Sequence, residues 1–211
     1  MNIRRFSSIY WYFILSLQFL NGANDFESRN TISFQFKLPN SFRLDCEQSL
    51  RLSGKELAFK QTFTELTLSY KMIDGLKVLI PIRYAIYQDK IKNRLSIGGL
   101  YRFDIKPFTI KYKTRFQRTY EKEKSPEDLY RNKFYIHHKL NKQFEPFISC
   151  EIFHPANSNN KSLNEYRLSC GTDIDLPSKR SLKIFYQYKI EDLKKENPDV
   201  TNIIGLSFSL N

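Results

Sequence analysis

The feature that most constrains this chain is an alternation of apolar and polar side chains between Thr31 and Leu210. Segments of roughly ten residues with an apolar side chain at every second position recur about eleven times, each followed by a polar turn. Successive side chains of a β-strand point to opposite faces, so the pattern predicts strands with one apolar and one polar face. Strands of this length and number are typical of a transmembrane β-barrel.

The same alternation gives the bounds of the predicted strands. In the ninth strand, Tyr166, Leu168 and Cys170 alternate with Glu165 and Arg167, which does not fit a helical period. The centres of the predicted strands carry no Asp, Glu, Lys or Arg on the apolar face. This is expected if that face meets lipid, where a charge at mid-bilayer costs about 2–4 kcal/mol. The predicted strands are 31–38, 42–52, 62–71, 76–87, 93–105, 108–119, 130–140, 144–154, 164–176, 181–190 and 200–210.

We therefore predict an all-β fold, a closed antiparallel up-and-down transmembrane β-barrel of roughly 10–12 strands. A soluble barrel has the same alternation with its faces reversed, apolar inside and polar outside, and periodicity alone does not exclude it. Aromatic residues such as Tyr70, Tyr84 and Tyr120 lie toward strand ends, where a membrane barrel has its interfacial girdle. This placement favours the membrane barrel.

The first 23 residues have the composition of a secretory signal. Arg4 and Arg5 precede an apolar core, 9–20, which is too short to span a membrane comfortably, and 21–23 supplies small residues for cleavage. No stretch of about eighteen or more apolar residues follows. We predict a cleaved signal peptide, residues 1–23, and a single barrel domain, residues 24–211, exported to the outer membrane of a Gram-negative bacterium.

Turn lengths alternate along the chain, with short turns such as 39–41 and longer polar loops such as 120–129. Outer-membrane barrels have short periplasmic turns and longer external loops, so Asn211 is expected on the periplasmic side. Eleven strands would then leave the N-terminus on the external side. Either residues 24–30 form a further strand, or one strand is split or missed.

The formal net charge is +12, but the Lys and Arg residues are spread along the whole chain. Nucleic-acid binding needs a clustered basic surface with stacking aromatics, whereas here the aromatics lie on the face opposite the charges. We therefore predict no nucleic-acid partner. Basic residues at the membrane edges are expected to bind outer-membrane lipid and lipopolysaccharide phosphate. Others, such as Lys122 and Lys194, are expected in solvated loops. The barrel-assembly machinery is the other expected partner.

The three cysteines, Cys46, Cys150 and Cys170, all lie on the apolar faces of predicted strands. An odd number argues against a disulfide framework, and we expect these side chains to pack as small hydrophobes. A bridge between Cys150 and Cys170 on adjacent strands stays open. The Cys and His residues show no metal-ligand spacing, and no Gly-rich phosphate loop occurs, so neither a metal nor a cofactor is predicted.

Charged residues on the polar face are predicted to lie in the lumen. Folding neighbouring strands about their turns places Gln117, Lys133, Glu151 and Arg167 nearly side by side across four strands. Buried charges must be paired, so we expect mainly a hydrogen-bonded structural plug, and an anion preference if the lumen conducts. The predicted luminal charge network consists of Arg83, Arg115, Gln117, Arg131, Lys133, Glu151 and Arg167.

The sequence offers only weak candidates for a catalytic site. A barrel hydrolase or acyltransferase needs a nucleophile, a base and an orienting group within hydrogen-bond reach. Ser149 or Ser169 beside His137 and Glu151 is the set that the strand pattern offers, and such sets arise by chance in a serine-rich barrel. No catalytic residue is therefore predicted.

Several short motifs in the second half of the chain match a known family in order and spacing over roughly residues 60–211. They are Lys111–Gln117, Tyr130–Phe134, Glu145–Phe153, Glu165–Gly171, Tyr186–Tyr188 and Ile203–Leu206. Through them the chain resembles the exported barrel-type proteins of Bacteroidota-like bacteria grouped as domain of unknown function 2490. The resemblance implies an outer-membrane barrel without established activity, with Arg115, Arg131, Glu151 and Arg167 as luminal signature residues.

Two classes of function follow from these expectations. The first is an outer-membrane barrel with a structural or interaction role, or a small anion-preferring pore with a charge-filled lumen. The alternatives from other classes are a barrel enzyme that modifies envelope lipid and a soluble periplasmic binding protein. The strand pattern and the signal favour the first class.

Overall fold

The computed structural model describes residues 25–54, 56–156 and 163–210, and these form a closed barrel of eleven strands. The predicted segments match the observed ones closely, and the predicted strand number is confirmed. The predicted signal peptide, residues 1–23, lies outside the described residues. No helix among the described residues is long and apolar enough to cross a membrane. The strands are β1 (Asp25–Lys37), β2 (Phe42–Ser53), β3 (Ala58–Ile73), β4 (Leu76–Tyr87), β5 (Ile91–Ile105), β6 (Phe108–Glu121), β7 (Glu127–His138), β8 (Phe144–Pro155), β9 (Glu165–Leu176), β10 (Arg180–Glu191) and β11 (Asp199–Leu210).

The barrel closes through a parallel pair. Each strand runs antiparallel to its neighbours in the sequence, whereas β1 and β11 run parallel, from Asp25 opposite Thr201 to Phe34 opposite Leu210. The predicted closed antiparallel barrel is confirmed, and this seam is where it departs from antiparallel pairing. The reason is geometric: when the number of alternating strands is odd, the first and the last point the same way. The suggestion of an additional strand at 24–30 is wrong, because β1 itself begins at Asp25.

Side chains are sorted by polarity between the two surfaces of the barrel. Outward-facing residues are large and apolar, and Ile82 and Ile148 are 56% and 55% exposed. Inward-facing residues are mostly polar, and Gln117 and Glu151 are each only 2% exposed. A soluble barrel would have the reverse arrangement, an apolar interior beneath a polar surface, so this sorting matches a barrel whose outer wall contacts lipid.

The few polar side chains on the outer wall bond to one another. Tyr112 donates a 2.7 Å hydrogen bond from its hydroxyl to the Asn132 amide oxygen on the adjacent strand. The Gln48 amide donates to the Thr62 hydroxyl at 2.8 Å. A polar group in an apolar surrounding costs free energy unless it is hydrogen-bonded, so these pairs reduce the cost of facing lipid.

The predicted alternation of turn lengths holds only in part, because a short connection, 88–90, joins β4 and β5 and a longer one, 139–143, joins β7 and β8. At one end of the barrel, tight turns join the strands, and Asn40, Ser41, Ser178 and Lys179 adopt positive φ angles there. Consecutive residues with positive φ are typical of the type I′ turns that match the twist of an antiparallel hairpin. Longer connections, such as 192–198 between β10 and β11, lie at the other end. We call these the turn side and the loop side.

Phe185 packs against two glycines on the inner wall. The register places Phe185 of β10 opposite Gly171 of β9 and Gly205 of β11. A Cβ atom at Gly205 would lie 2.0 Å from the Phe185 ring, so the ring covers the backbone of β11. An aromatic ring over a glycine compensates for the missing side chain. Here the Phe185 ring occupies the part of the lumen that side chains at the two glycine positions would otherwise fill.

We expect Gly171→Ala to destabilise the barrel, because the new Cβ would lie 2.3 Å from the backbone oxygen of Ile184 and 2.8 Å from the Phe185 Cα. Backbone atoms yield less than side chains, so the expected loss is about 1–3 kcal/mol, measured by urea unfolding in detergent micelles. Gly99→Ala is the matched control, since its Cβ would meet only the Lys77 oxygen at 3.8 Å. Equal stability of the two variants would contradict the packing described for Phe185.

Candidate functional site

A polar cavity occupies the loop-side part of the lumen. Its volume is about 710 Å³, and Glu127 and Asp199 lie at its loop-side mouth. Thirteen Lys and Arg residues and nine Asp and Glu residues line it. Toward the turn side the lining ends at Tyr135, Phe147 and Lys183. The cavity is therefore charged, with an excess of basic groups.

Three predicted network residues form one row across β7, β8 and β9. Lys133 lies opposite Glu151, and Glu151 lies opposite Arg167. Arg131 donates from Nε to Glu151 Oε1 at 2.6 Å, and Lys133 Nζ is 3.8 Å from Oε2. Glu151 is 2% exposed, so this carboxylate is buried between two cations that compensate its charge.

The position predicted for Gln117 in this row is wrong. β6 contributes Lys113 opposite Lys133, whereas Gln117 lies opposite Leu129, nearer the loop side. The cause is the position of the turn between β6 and β7, which is centred near Glu123. Each residue of β6 therefore pairs with a residue of β7 that lies four positions earlier than predicted.

The remaining predicted residues surround Glu65 on β3. Arg83 of β4 lies opposite Glu65 and binds it, with Nε–Oε2 at 2.7 Å. Arg115 of β6 lies farther away, with Nη1 3.7 Å from Oε1. Arg115 is 8% exposed, and its Nε has no hydrogen-bond partner among the described residues. The Glu65 carboxylate therefore interacts with two guanidinium groups, those of Arg83 and Arg115.

Cations lie directly opposite one another at several places on the inner wall. Among these pairs are Arg83 with Arg94, Arg115 with Arg131, Lys113 with Lys133, and Arg29 with Arg51. Like charges directly opposite across two strands are destabilising. A lumen serving only as an ion-paired plug would have opposite charges at these positions.

Two phenylalanines on the inner wall each lie between two guanidinium groups. The Phe63 ring centroid is 3.8 Å from Arg83 Cζ and 5.1 Å from Arg51 Cζ. The Phe153 centroid is 4.5 Å from Arg167 Cζ and 5.1 Å from that of Arg131. Cation–π contacts hold the arginines in place while leaving their N–H edges free to donate. The expectation that the aromatics lie on the face opposite the charges is therefore wrong at Phe63 and Phe153.

A further network crosses the parallel seam. Glu27 of β1 binds Arg29 on its own strand and accepts from Lys60 Nζ at 2.8 Å. Arg29 donates from Nη1 to the Gln187 amide oxygen at 2.8 Å, and Gln187 donates to the Ser169 hydroxyl at 2.8 Å. These residues were not predicted, because their proximity depends on how the barrel closes.

His137 occupies the lumen on the turn side of the cavity. Its ring is 1% exposed and stacks on Phe147 with centroids 5.4 Å apart. Its Nδ1 lies 3.2 Å from Glu145 Oε1 and 3.5 Å from Asp173 Oδ2, and Nε2 lies 3.3 Å from Lys111 Nζ. The imidazole is therefore held between carboxylates and a cation in a layer of closely packed side chains.

The catalytic set weighed in the sequence is not joined by hydrogen bonds. Among the described residues, the Ser149 hydroxyl has no hydrogen-bond partner, and Ser169 accepts from Gln187 rather than contacting His137. A nucleophile bonded to a base is the signature of serine chemistry, and the described part of the lumen does not contain it.

The cysteines and the possible metal ligands are dispersed. Cys46, Cys150 and Cys170 are free thiols. Cys150 lies opposite Leu168 and Cys170 lies opposite Ile148, so the two are diagonal neighbours on the outer wall. Within the described ranges, no group of three or more His, Cys, Asp or Glu residues is arranged to hold a metal ion.

A closed barrel with an apolar outer wall and a charged lumen defines the class of membrane-spanning β-barrels. The chain belongs to the family described as protein of unknown function DUF2490, whose family model matches residues 26–199. The resemblance drawn from the motifs in the second half is therefore confirmed. No curated protein sequence matches the chain significantly.

Two solved structures show the same fold at low sequence identity. One is a bacterial polysaccharide outer membrane secretin, with a TM-score of 0.54 and 9% identity over 81% of this chain and 64% of the secretin. The chain therefore spans less than two thirds of the secretin. The other is the NanC porin, with a TM-score of 0.53 and 11% identity over 78% of this chain and 86% of the porin. At these identities the likeness concerns the fold, and it suggests an outer-membrane location.

We expect Glu151→Gln to lower the free energy of unfolding by about 2 kcal/mol, since Arg131 loses its charged acceptor in a buried site. Urea unfolding in detergent measures the change. Asp74→Asn removes a carboxylate from an exposed ion pair with Lys71, and its unfolding curve should match that of the parent protein. An unchanged curve for Glu151→Gln would show that the row at Glu151 does not stabilise the barrel.

Proposed function

We propose that this protein is a small anion-preferring pore in the outer membrane of a Gram-negative bacterium. Export would use the signal at residues 1–23, with cleavage before the barrel. Lipid and lipopolysaccharide would surround the apolar wall, and the barrel-assembly machinery would insert it. The likeness to the NanC porin supports a pore of this size.

The observation that carries the proposal is the cationic lining of the lumen. Arg83 faces Arg94 and Arg115 faces Arg131 with one close carboxylate in each neighbourhood, Glu65 or Glu151. Rings of Lys and Arg favour anions in pores, because they attract the permeating ion and repel cations. The cost of juxtaposed like charges is offset if anions pass or reside between them.

The route through the barrel is wide at the loop side and narrow at the turn side. The cavity opens among the long loops, whereas His137 and Leu79 are buried in the turn-side lumen. Where the cavity ends, Lys183 pairs with Asp173 at 3.1 Å and is partly exposed. We expect a low conductance, because ions must pass this packed layer.

The packed layer also favours a second candidate function, a closed barrel with a structural or interaction role. In that case His137, stacked on Phe147, would block the passage of ions permanently. Planar bilayers distinguish the two functions, since a closed barrel gives no channel currents.

We expect the purified barrel in planar bilayers to show a reversal potential in a KCl gradient that indicates preference for chloride. Arg94→Glu should reduce or invert this preference, because it places a carboxylate opposite Arg83 in the cavity. Lys122→Glu makes the same charge change on an external loop side chain that is 91% exposed, and it should leave the preference nearly unchanged. Potassium preference of the parent protein would refute the anion pore, and the absence of currents would support the closed barrel.

A further inference from the structure

The positive charge of the cavity is concentrated on one side of the barrel. The five strands β2 to β6 contribute seven basic residues and two acidic residues, Glu47 and Glu65, to the lining. We call this side the basic wall. The other strands and their loops contribute six basic and seven acidic residues, so that side is close to neutral. The basic residues of the basic wall are Arg51, Lys60, Arg83, Lys92, Arg94, Lys113 and Arg115.

We propose that the basic wall forms a saturable binding site for a small organic anion with more than one oxyanion group, carboxylate or phosphate. The site would lie between Arg51, Arg94 and Lys113, with Arg83 and Arg115 at its base. This proposal deepens the anion preference argued above. It does not require ions to pass through the barrel.

Three cations of the basic wall have no acidic partner. Among the described residues, no carboxylate oxygen lies within 4 Å of the charged groups of Arg51, Arg94 or Lys113. The Arg94 Nε donates to the Thr119 hydroxyl at 3.2 Å, and Arg51 is placed to donate to the Gln61 amide oxygen at 3.0 Å. Neutral acceptors compensate a buried cation only in part, so these groups retain the capacity to bind an anion.

Arg83 lies close to several other cations. It lies directly opposite Arg94, shares the Phe63 ring with Arg51 and shares Glu65 with Arg115, so these like charges repel one another. Because Glu65 is already shared between Arg83 and Arg115, it leaves most of this repulsion uncompensated. A bound anion would remove the repulsion, which gives it a favourable interaction with several strands at once.

The guanidinium groups are held in position before any ligand arrives. The Phe63 ring is 3% exposed and lies between Arg51 and Arg83. Stacked arginines lose less conformational entropy on binding than free ones, and their N–H forks match the geometry of carboxylate and phosphate. Phe63 therefore holds the guanidinium groups of Arg51 and Arg83 in place as hydrogen-bond donors of the basic wall.

A second and independent observation is an unsatisfied donor in the same wall. Arg115 is 8% exposed, lines the cavity, and has no hydrogen-bond partner for Nε among the described residues. Buried polar groups in proteins are nearly always hydrogen-bonded, and an exception calls for an explanation. An oxyanion on the basic wall supplies the missing negative charge beside this guanidinium.

The size of the cavity sets the size of the ligand. A volume of about 710 Å³ falls within the range of about 300–1,000 Å³ that is usual for small-molecule sites. The unpaired cations belong to β2, β5 and β6, so an anion with several charged groups contacts more of them than a single carboxylate does. Citrate and inorganic phosphate are suitable probes, because they represent the two oxyanion chemistries.

Isothermal titration calorimetry of the folded full-length barrel in detergent, at low ionic strength, tests the site. We expect saturable binding of citrate, of phosphate or of both, weakened about tenfold by Arg51→Gln and by Arg94→Gln. Lys122→Gln, in an exposed loop, should keep the affinity within about twofold, as screening predicts. Arg94→Lys keeps the charge without the fork and should give an intermediate affinity.

The titrations with citrate and phosphate identify the class of ligand and show whether the proposed site exists. Binding of citrate alone assigns carboxylates to the site, and binding of phosphate alone assigns phosphates. Absence of binding by both probes, or equal affinity in Arg51→Gln, Arg94→Gln and the parent protein, would overturn the proposal. Heat-modifiable gel mobility verifies that each variant is folded before it is titrated. Since calorimetry needs no conduction, a silent barrel that binds citrate refutes the pore and retains the site.

Discussion

The structure depends on one constraint, that every backbone N–H and C=O group of a sheet in lipid must be bonded within the protein. A barrel meets this constraint only when its first and last strands pair. With eleven strands the pair is parallel, and the ten positions from Asp25–Thr201 to Phe34–Leu210 close the sheet. The outer wall can then be mostly apolar, with hydrogen-bonded polar pairs such as Gln48–Thr62, while most charged side chains of the strands are directed into the lumen.

Closure also determines which charges meet inside. The seam brings Glu27 and Arg29 of β1 next to Gln187 of β10 and Lys60 of β3, so this part of the lumen is well paired. Most of the acidic residues that line the cavity lie on the side formed by the seam and by β7 to β9. The strands β2 to β6 have few acids, and their cations have no comparable compensation. The uneven distribution of charge in the lumen therefore follows from where the acidic residues lie along the chain.

Much of this fold could be predicted from the sequence, because side-chain alternation reports directly on strands and faces. The seam could not, since a parallel pair between the chain ends leaves no local signal. The register of Gln117 was missed because it depends on the residue at which the turn between β6 and β7 is centred. The cation–π pairs of Phe63 and Phe153 have a signal, an aromatic residue on the charged face, but their partners follow only from the register.

The basic wall distinguishes a lumen that is merely filled from one that is prepared for a ligand. A filled lumen is stabilised by pairing each cation with a carboxylate, as Arg131 is paired with Glu151. Arg94 instead has no carboxylate partner among the described residues and lies directly opposite Arg83, whose guanidinium group Phe63 fixes beside its neighbours. Holding like charges together costs stability in the empty barrel. That cost is recovered when an anion binds, so the same repulsion that weakens the fold strengthens the interaction with the ligand.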